Sequence, residues 1–389
     1  MFGLSLNAQT FWTGLVVAIV GFFSSFPIFL QGVEAMGASP AQASSAVMAG
    51  SVAMGIAAIF LSLRYKMPAS VAWSTPGAAL LAVSVPDAAG FAGAVGAFVF
   101  AGVLGVVSGF WRPLARLAAA IPAPITMAML SGVLFSICLV PFRSLAEAPA
   151  IAVPIMLTWF VVGQFSRLFA VPASVVALVV LVVLHNDGFP VPPDILTDLV
   201  VVMPVFSLSA ILSLGLPLFL VTTATQNIPG VSVLKANGYE PPSGSLFATV
   251  GVFSILSAPF GAISTCVAAI TAAMCCDENA HPDPAQRYMA AVWAGLFYCL
   301  FGVLAAGVTF IAGLAPPLAM ATLAGVALFN VFANSASVAL GNEDTREAAA
   351  LTFVMTASGV TMLGLGAAVW GLLVGCAVHL IKVKTTRAR

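Results

Sequence analysis

Residues 67–86 read MPASVAWSTPGAALLAVSVP. The stretch carries no charge, yet it has prolines at 68, 76 and 86 and a Ser74–Thr75 pair directly before the middle one. Long apolar runs flank it on both sides. A helix-breaking polar segment inside such a chain needs a reason, and the reason bears on the whole fold.

The chain of 389 residues is 61% hydrophobic and 7% charged, against roughly 25% charged residues in a soluble domain. Mean hydropathy is +1.12. This is the composition of an integral membrane protein. Charge-free runs such as 88–111, 117–142 and 199–234 exceed the roughly 20 residues that a helical span needs. A membrane β-barrel would alternate polar and apolar residues, whereas VVALVVLVV at 175–183 is continuously apolar. The first apolar segment, FWTGLVVAIVGFF, runs on through SSFPIFLQ without a basic leader, so it reads as the first span and not as a cleaved signal. The net charge is zero, and nothing points to nucleic acid. The six cysteines lie in or beside apolar segments without a CxxC pair and read as small buried hydrophobes.

Spans are expected near 8–33, 41–63, 68–86, 88–110, 122–141, 150–169, 171–184, 205–234, 243–258, 260–276, 286–312, 315–338, 345–363 and 365–382, which makes fourteen. Charge tests this order. With the N-terminus in the cytoplasm, Arg64, Lys66, Arg112, Arg116, Arg167, Lys235, Arg287, Arg346, Lys382, Lys384, Arg387 and Arg389 fall inside, and only Arg143 falls outside. That is a strong positive-inside bias, and it puts both termini in the cytoplasm.

The two halves echo one another. AMGASP at 35–40 lies opposite ANGYEP at 236–241, an offset of 201. Pro68, Ser74 and Thr75 find counterparts in Pro259, Ser264 and Thr265 at offsets of 190–191, so the second copy is expected to be about ten residues shorter in its second span. Seven spans per half is an odd number, so the second half enters upside down, the inverted-repeat plan of many secondary transporters. The expected fold is an all-α integral membrane protein of about fourteen transmembrane segments in two inverted repeats of seven. Two half-helix/strand segments, near 68–86 and 260–276, meet at the membrane centre.

The broken segment then makes sense. Val71, Trp73 and Thr75 suit extended chain. Pro76 suits the first turn of a helix over 76–85, capped by Ser74 or Thr75. The second copy, PFGAISTCVAAITAAMCC at 259–276, is expected to run extended through AIST and to start its helix at Cys266. Irregular backbone at that depth survives only where it is buried in protein or lines a cavity. Two half-helices entering from opposite sides would face their N-termini, with free N–H groups and partial positive charge, at one central point. A small anion suits that point. The alternative is a pair of kinks that serve packing alone.

LQGVEAMGASPAQASS at 30–45, LSLRYKMPASVAWSTPGAALLA at 61–82, LGLPLFLVTTATQNIPGVSVLKANGYEPP at 214–242, APFGAISTCVAAITAAMC at 258–275 and HPDPAQRYMAAVWAGLFY at 281–298 resemble the benzoate/proton symporters of the BenE family. That family resembles the uracil/anion-transporter architecture of seven plus seven inverted spans. The resemblance implies a core domain from residues 1–115 and 205–312 that carries substrate, and a gate domain from 116–204 and 313–389. It implies proton-driven import of benzoate or a related aromatic carboxylate across a bacterial-type inner membrane, without a cofactor. A homodimer through the gate follows by analogy. A nucleobase or inorganic-anion carrier of the same architecture is the alternative. No nucleophile–base or metal constellation is present that would make an enzyme.

The candidate substrate-binding residues are Ser74, Thr75 and Gly77 at the first junction, Ser264 and Thr265 at the second, and Thr223, Gln226 and Asn227 in TTATQNIPG. A buried amide in lipid is costly unless it has a partner; besides holding a carboxylate, Gln226 and Asn227 could brace the kink at Pro229. Thr222 and Thr223 should share a helical face with Gln226. The offset of 201 maps Gln226, Asn227 and Thr223 onto Ser25, Phe26 and Phe22. One side of the site would be polar and the other aromatic, as an aromatic acid requires. Phe22 and Phe26 could equally be packing residues. His281, near Cys275 and Cys276, lacks metal-site spacing, and His185 with Asp187 reads as a turn outside the membrane. Every Asp and Glu lies in or near a loop. Glu34 and Asp87 come nearest to the interior, so a co-transported proton could ride on the substrate carboxylate itself.

Overall fold

The computed structural model describes residues 7–111, 113, 120–186, 188, 191–192, 194–316, 318–363 and 365–387. Arg112, Arg116, Asp187, Arg389 and the expected core–gate boundary at 115/116 lie outside the described residues. Among the described residues seven helices are long and apolar enough to cross a membrane, or eight if a pair bent by 57°, Pro284–Val303 with Ala305–Gly313, is one span.

In chain order, α1 (Ala8–Phe23) and α2 (Phe26–Ala35) form one broken span, turned at Ser24–Ser25. A capping box between Ser39 and Gln42 opens α3 (Pro40–Tyr65). Strand β1 (Val71–Trp73) leads into α4 (Thr75–Ala82), and α5 (Gly90–Phe110) follows. Then come α6 (Ala123–Glu147), α7 (Pro149–Phe165) and α8 (Ala170–His185).

The second half starts with α9 (Leu208–Ala236), continuous but interrupted by two π turns, and α10 (Ser243–Ser257). Strand β2 (Thr265–Val267) leads into α11 (Ala269–Cys276). The bent pair is α12 (Tyr288–Val303) and α13 (Ala305–Gly313). The chain finishes with α14 (Ala319–Gly341), α15 (Arg346–Ala357) and α16 (Ala367–Arg387).

The inverted repeat is visible in matched backbone features. Helices α2 and α9 end at Ala35 and Ala236. Each is followed by a glycine with positive φ, Gly37 at 91° and Gly238 at 82°, where a side chain would be strained. The turn at Ser24–Ser25 falls opposite the second π turn, Thr223–Asn227, at the same offset of 201. Helix α3 has 26 residues and α10 has 15, so the second copy is shorter where expected.

Two features of the broken segments differ from expectation. The first half-helix stops at Ala82, not at 85. The second starts at Ala269, three residues after Cys266, because Thr265, Cys266 and Val267 are taken up as a strand that pairs with Val71–Trp73. The offset between the two strand–helix units is therefore 194. Ser264 and Thr265 correspond to Ser70 and Val71, and Ala268 and Ala269 stand where Ser74 and Thr75 stand in the first copy.

The helices pack as neighbours in two sets. In one, α12 lies against α3 and α1, α5 against α10, and α2 against α4. In the other, α6 lies against α14 and α15, α15 against α16, and α7 against α8. Small residues make the closest approaches, as expected between helices in lipid. A Cβ on Gly251 of α10 would lie 2.5 Å from the backbone N of Val106, and one on Gly109 would lie 2.5 Å from the carbonyl of Gly244. Gly251→Val should therefore push α5 and α10 apart. Overpacking of this kind costs about 1–3 kcal/mol or more, and backbone has no rotamer through which to yield. Thermal unfolding of the purified variant should show a lowered Tm or no folded protein, and a wild-type Tm would contradict this packing.

Candidate functional site

The site is built on the crossing of two three-residue strands. They pair antiparallel in the register Val71↔Val267, Ala72↔Cys266 and Trp73↔Thr265. One further bond closes each end. The N–H of Ser74 donates to the Ser264 carbonyl at 2.8 Å, and that of Ala268 to the Ser70 carbonyl at 3.1 Å. Under the offset of 194 these two bonds exchange, as a two-fold repeat requires. The half-helices α4 and α11 leave the crossing in opposite directions, so both N-termini face the interior.

The two N-termini differ chemically. At α4 the Ser74 Oγ accepts from the Gly77 N–H at 3.1 Å and shares a 2.7 Å hydrogen bond with Thr222 Oγ1. Thr75 Oγ1 shares one of 2.7 Å with Ser25 Oγ, which ties α4 to the break between α1 and α2. Pro76 lies in the first turn, as its sequence position predicts. At α11 the cap is Ala268, which offers no side chain. A Cβ on Gly77 would lie 2.4 Å from Leu218 Cδ1 and 2.9 Å from the capping Ser74 Oγ, so a side chain there would have to displace one or both.

The π turn sorts the polar residues of α9. The Ile228 N–H donates to the Thr223 carbonyl, five residues back. The next residue is Pro229, which has no N–H. The same arrangement occurs at Ile211–Gly215, just before Leu216–Pro217. A wider turn moves residues off the faces that a 3.6-residue period assigns. Thr222, Thr223 and Asn227 consequently line one small cavity, and Gln226 is not among its lining residues. Asn227 Oδ1 accepts from the Val267 N–H at 2.9 Å and so supports β2. Gln226 is half-buried, and its side chain has no hydrogen-bond partner among the described residues.

Phe22 and Phe26 lie on the first-repeat side. Their rings stack at 5.7 Å with an interplanar angle of 11°, and Phe22 lies 5.3 Å from the Trp73 ring. Trp73 also meets Phe29 at 4.5 Å. The Trp73 indole nitrogen is buried without an acceptor among the described residues. Thr265 is turned away into the protein, where its Oγ1 donates to the Val250 carbonyl and its N–H donates to Ser254 Oγ. The structure thus brings Ser25, Ser74, Thr75 and Gly77 together around one helix end, with Phe22 and Phe26 on the aromatic side. It groups Thr223, Asn227, Ser264 and Thr265 around the small cavity.

Three contributors were not candidates from sequence: Trp73 as part of the aromatic stack, Ser254 as partner of Thr265, and Thr271, whose Oγ1 accepts from Ser70 Oγ at 2.8 Å. A tryptophan between two prolines in a charge-free stretch was a readable signal. The two hydroxyl residues carried none.

Two larger cavities flank the site. One, of about 560 Å³, lies where the end of α4 and the start of α9 meet α6 and the segment 356–368. Asp87 lines it, and its carboxylate accepts from the Ser207 hydroxyl and the Ala89 N–H. The other, of about 490 Å³, is lined by Glu34, Asp194 and Asp198.

Paired half-helices from inverted repeats, with hydroxyl groups and aromatic rings at their junction, define a membrane transporter. The fold agrees with solved transporters. It superposes on the transmembrane domain of the cyanobacterial bicarbonate transporter BicA with a TM-score of 0.63 at 16% identity, covering 96% of both chains. For SLC26A9 the TM-score is 0.65 at 12% identity, over 96% of this chain and 65% of that one. The family of the benzoate membrane transport protein, BenE, matches residues 5–381, and the chain belongs to that family. It is 37% identical to the inner membrane protein YdcO of Escherichia coli (97% of this chain, 96% of the relative). It is 31% identical to the benzoate membrane transport protein of Acinetobacter baylyi (95% and 94%).

Ser74→Ala tests the junction. It removes the cap of α4, worth about 1 kcal/mol, and leaves the buried Thr222 hydroxyl without its partner, a further cost of about 1–3 kcal/mol. A clear fall in Tm is expected in lipid nanodiscs, largely restored in Ser74→Thr. An unchanged Tm in Ser74→Ala would show that neither bond matters to the fold.

Proposed function

We propose that this chain imports benzoate or a related small aromatic carboxylate by alternating access, together with protons. The observation that carries the reading is the strand crossing, which sets helix N-termini in the interior. Trp73 of the crossing carries the Phe22–Phe26 stack, and Gln226, on the adjoining π turn, keeps an amide without a hydrogen-bond partner among the described residues. The amides and Gln226 suit a carboxylate, and the rings suit the benzene face. Ser25, Thr75 and Gly77 would shape the junction. In this reading the set holding α1–α5 and α9–α13 is the core that carries substrate, and the set holding α6–α8 and α14–α16 is the gate. The division of helix contacts and the 560 Å³ cavity between the sets support that assignment. The distribution of basic residues supports both termini in the cytoplasm, and a homodimer would form through the gate.

Glu34 and Asp87 line the flanking cavities and not the junction, so in this reading a proton travels with the anion or on it. Three measurements in proteoliposomes test the reading. Gln226→Ala should lower benzoate uptake about tenfold or more, the loss expected when a hydrogen bond to a charged group, worth about 1.5–3 kcal/mol, is removed, while Tm stays near wild type. Benzamide, equal in shape but neutral, should compete at least about a hundredfold more weakly than benzoate, since two helix termini and amide bonds together contribute a few kcal/mol. Uptake should rise as external pH falls at clamped membrane potential. Equal competition by benzamide would defeat the carboxylate site, and pH-independent uptake would defeat proton coupling. Transport of nucleobases or bicarbonate in place of benzoate would transfer the site to another substrate class.

A further inference from the structure

The small cavity beside the strand crossing, of about 20 Å³, is walled by α5, α9, α10 and the start of β2. Its polar lining comes from Thr222, Thr223, Asn227, Ser254, Ser264 and Thr265. Three of these are already committed. Thr222 is bonded to Ser74, Ser254 donates to the Val250 carbonyl, and Thr265 donates to the same carbonyl. The other three have hydrogen-bonding capacity left. Ser264 Oγ is buried with no partner among the described residues, in a residue only 5% exposed. Thr223, 3% exposed, likewise has no side-chain hydrogen bond among the described residues. Asn227 has spent its oxygen on the Val267 N–H, so its free group is the NH2.

We propose that this cavity binds a single ordered water, held by Ser264 Oγ, Thr223 Oγ1 and Asn227 Nδ2. The size fits, because a polar cavity with room for about one water-sized sphere can hold one water. The valence fits too, because buried waters make about three hydrogen bonds. A buried hydroxyl without any partner costs about 1–3 kcal/mol, and a water relieves that cost at Ser264 Oγ while using the free capacity of Thr223 and Asn227. A cation does not fit. The Val267 N–H fixes the Asn227 amide with its oxygen toward the strand, so the side chain meets the cavity with donors, and no carboxylate lines it. The water joins the π turn of α9 to the start of β2, at the place where the strand leaves the loop. Ser264, Thr223 and Asn227 are then positioning residues that set β2 through this water, and the site stands apart from the Gln226 amide. This assignment goes beyond the transport reading and stands whatever the substrate is.

The test uses the full chain in nanodiscs and needs no substrate. A structure at a resolution that shows waters should reveal one peak within 2.6–3.2 Å of all three named atoms. Ser264→Ala should lose or weaken that peak and lower Tm by about 2 °C or more. Ser264→Thr, which keeps the hydroxyl, should retain the peak, and Tm should be the same in sodium, potassium and choline chloride. The proposal is overturned by a site without density in the wild-type protein, by a peak ringed only by oxygens, by a Tm that rises specifically with sodium, or by a Ser264→Ala protein with unaltered Tm and density.

Discussion

At the depth of the hydrocarbon core a backbone N–H or C=O has no water to turn to, and that constraint governs this molecule. Helices satisfy it internally. Residues 70–74 and 264–268 cannot, because they are extended. Each uses the other, through three paired positions and one closing bond at either end. Once that crossing exists, the two half-helices are placed, and the side chains around their N-termini have fixed addresses. The repeats are thus held together by main-chain bonds at the centre as well as by apolar packing.

Around the crossing, hydroxyl groups and a few amides do the joining that salt bridges do in soluble proteins. Ser74 with Thr222, Ser25 with Thr75, and Ser70 with Thr271 each link two elements at 2.7–2.8 Å. In a medium that penalises charge, neutral pairs of this kind give position without a large desolvation cost. The aromatic side is ordered by rings alone, with Trp73 touching both Phe22 and Phe29.

Much of this was legible in the residues. Pro68, Pro76 and the Ser74–Thr75 pair follow local rules for strand, cap and first turn, and the first broken segment obeys them. The offset of 201 was readable because glycines with positive φ and a proline mark the same turn twice. The second broken segment was misaligned for a physical reason. Ser264–Thr265 repeats the letters of Ser74–Thr75, but a strand's length is set by its partner in the other half, and no local pattern records that pairing. A 3.6-residue period does not carry across the π turn at Thr223–Asn227, so the faces it predicts for α9 shift there. Pro217 and Pro229, each placed just after such a turn, were the only hint. Grouping Thr222 and Thr223 with Gln226 consequently gave way to grouping them with Asn227.

The crossing also imposes an order in time. Strand β1 is synthesised 194 residues ahead of the strand that completes it, and ribosomes add about 5–20 residues per second. For about 10–40 s the nascent first half holds an extended segment whose main-chain groups lack their final partners. Such a segment cannot rest in lipid, so it must stay in a wetter setting, at the insertion machinery or folded back on its own helices. Assembly of the centre is therefore a late event in biogenesis, and neither half of the chain contains what it needs to finish alone.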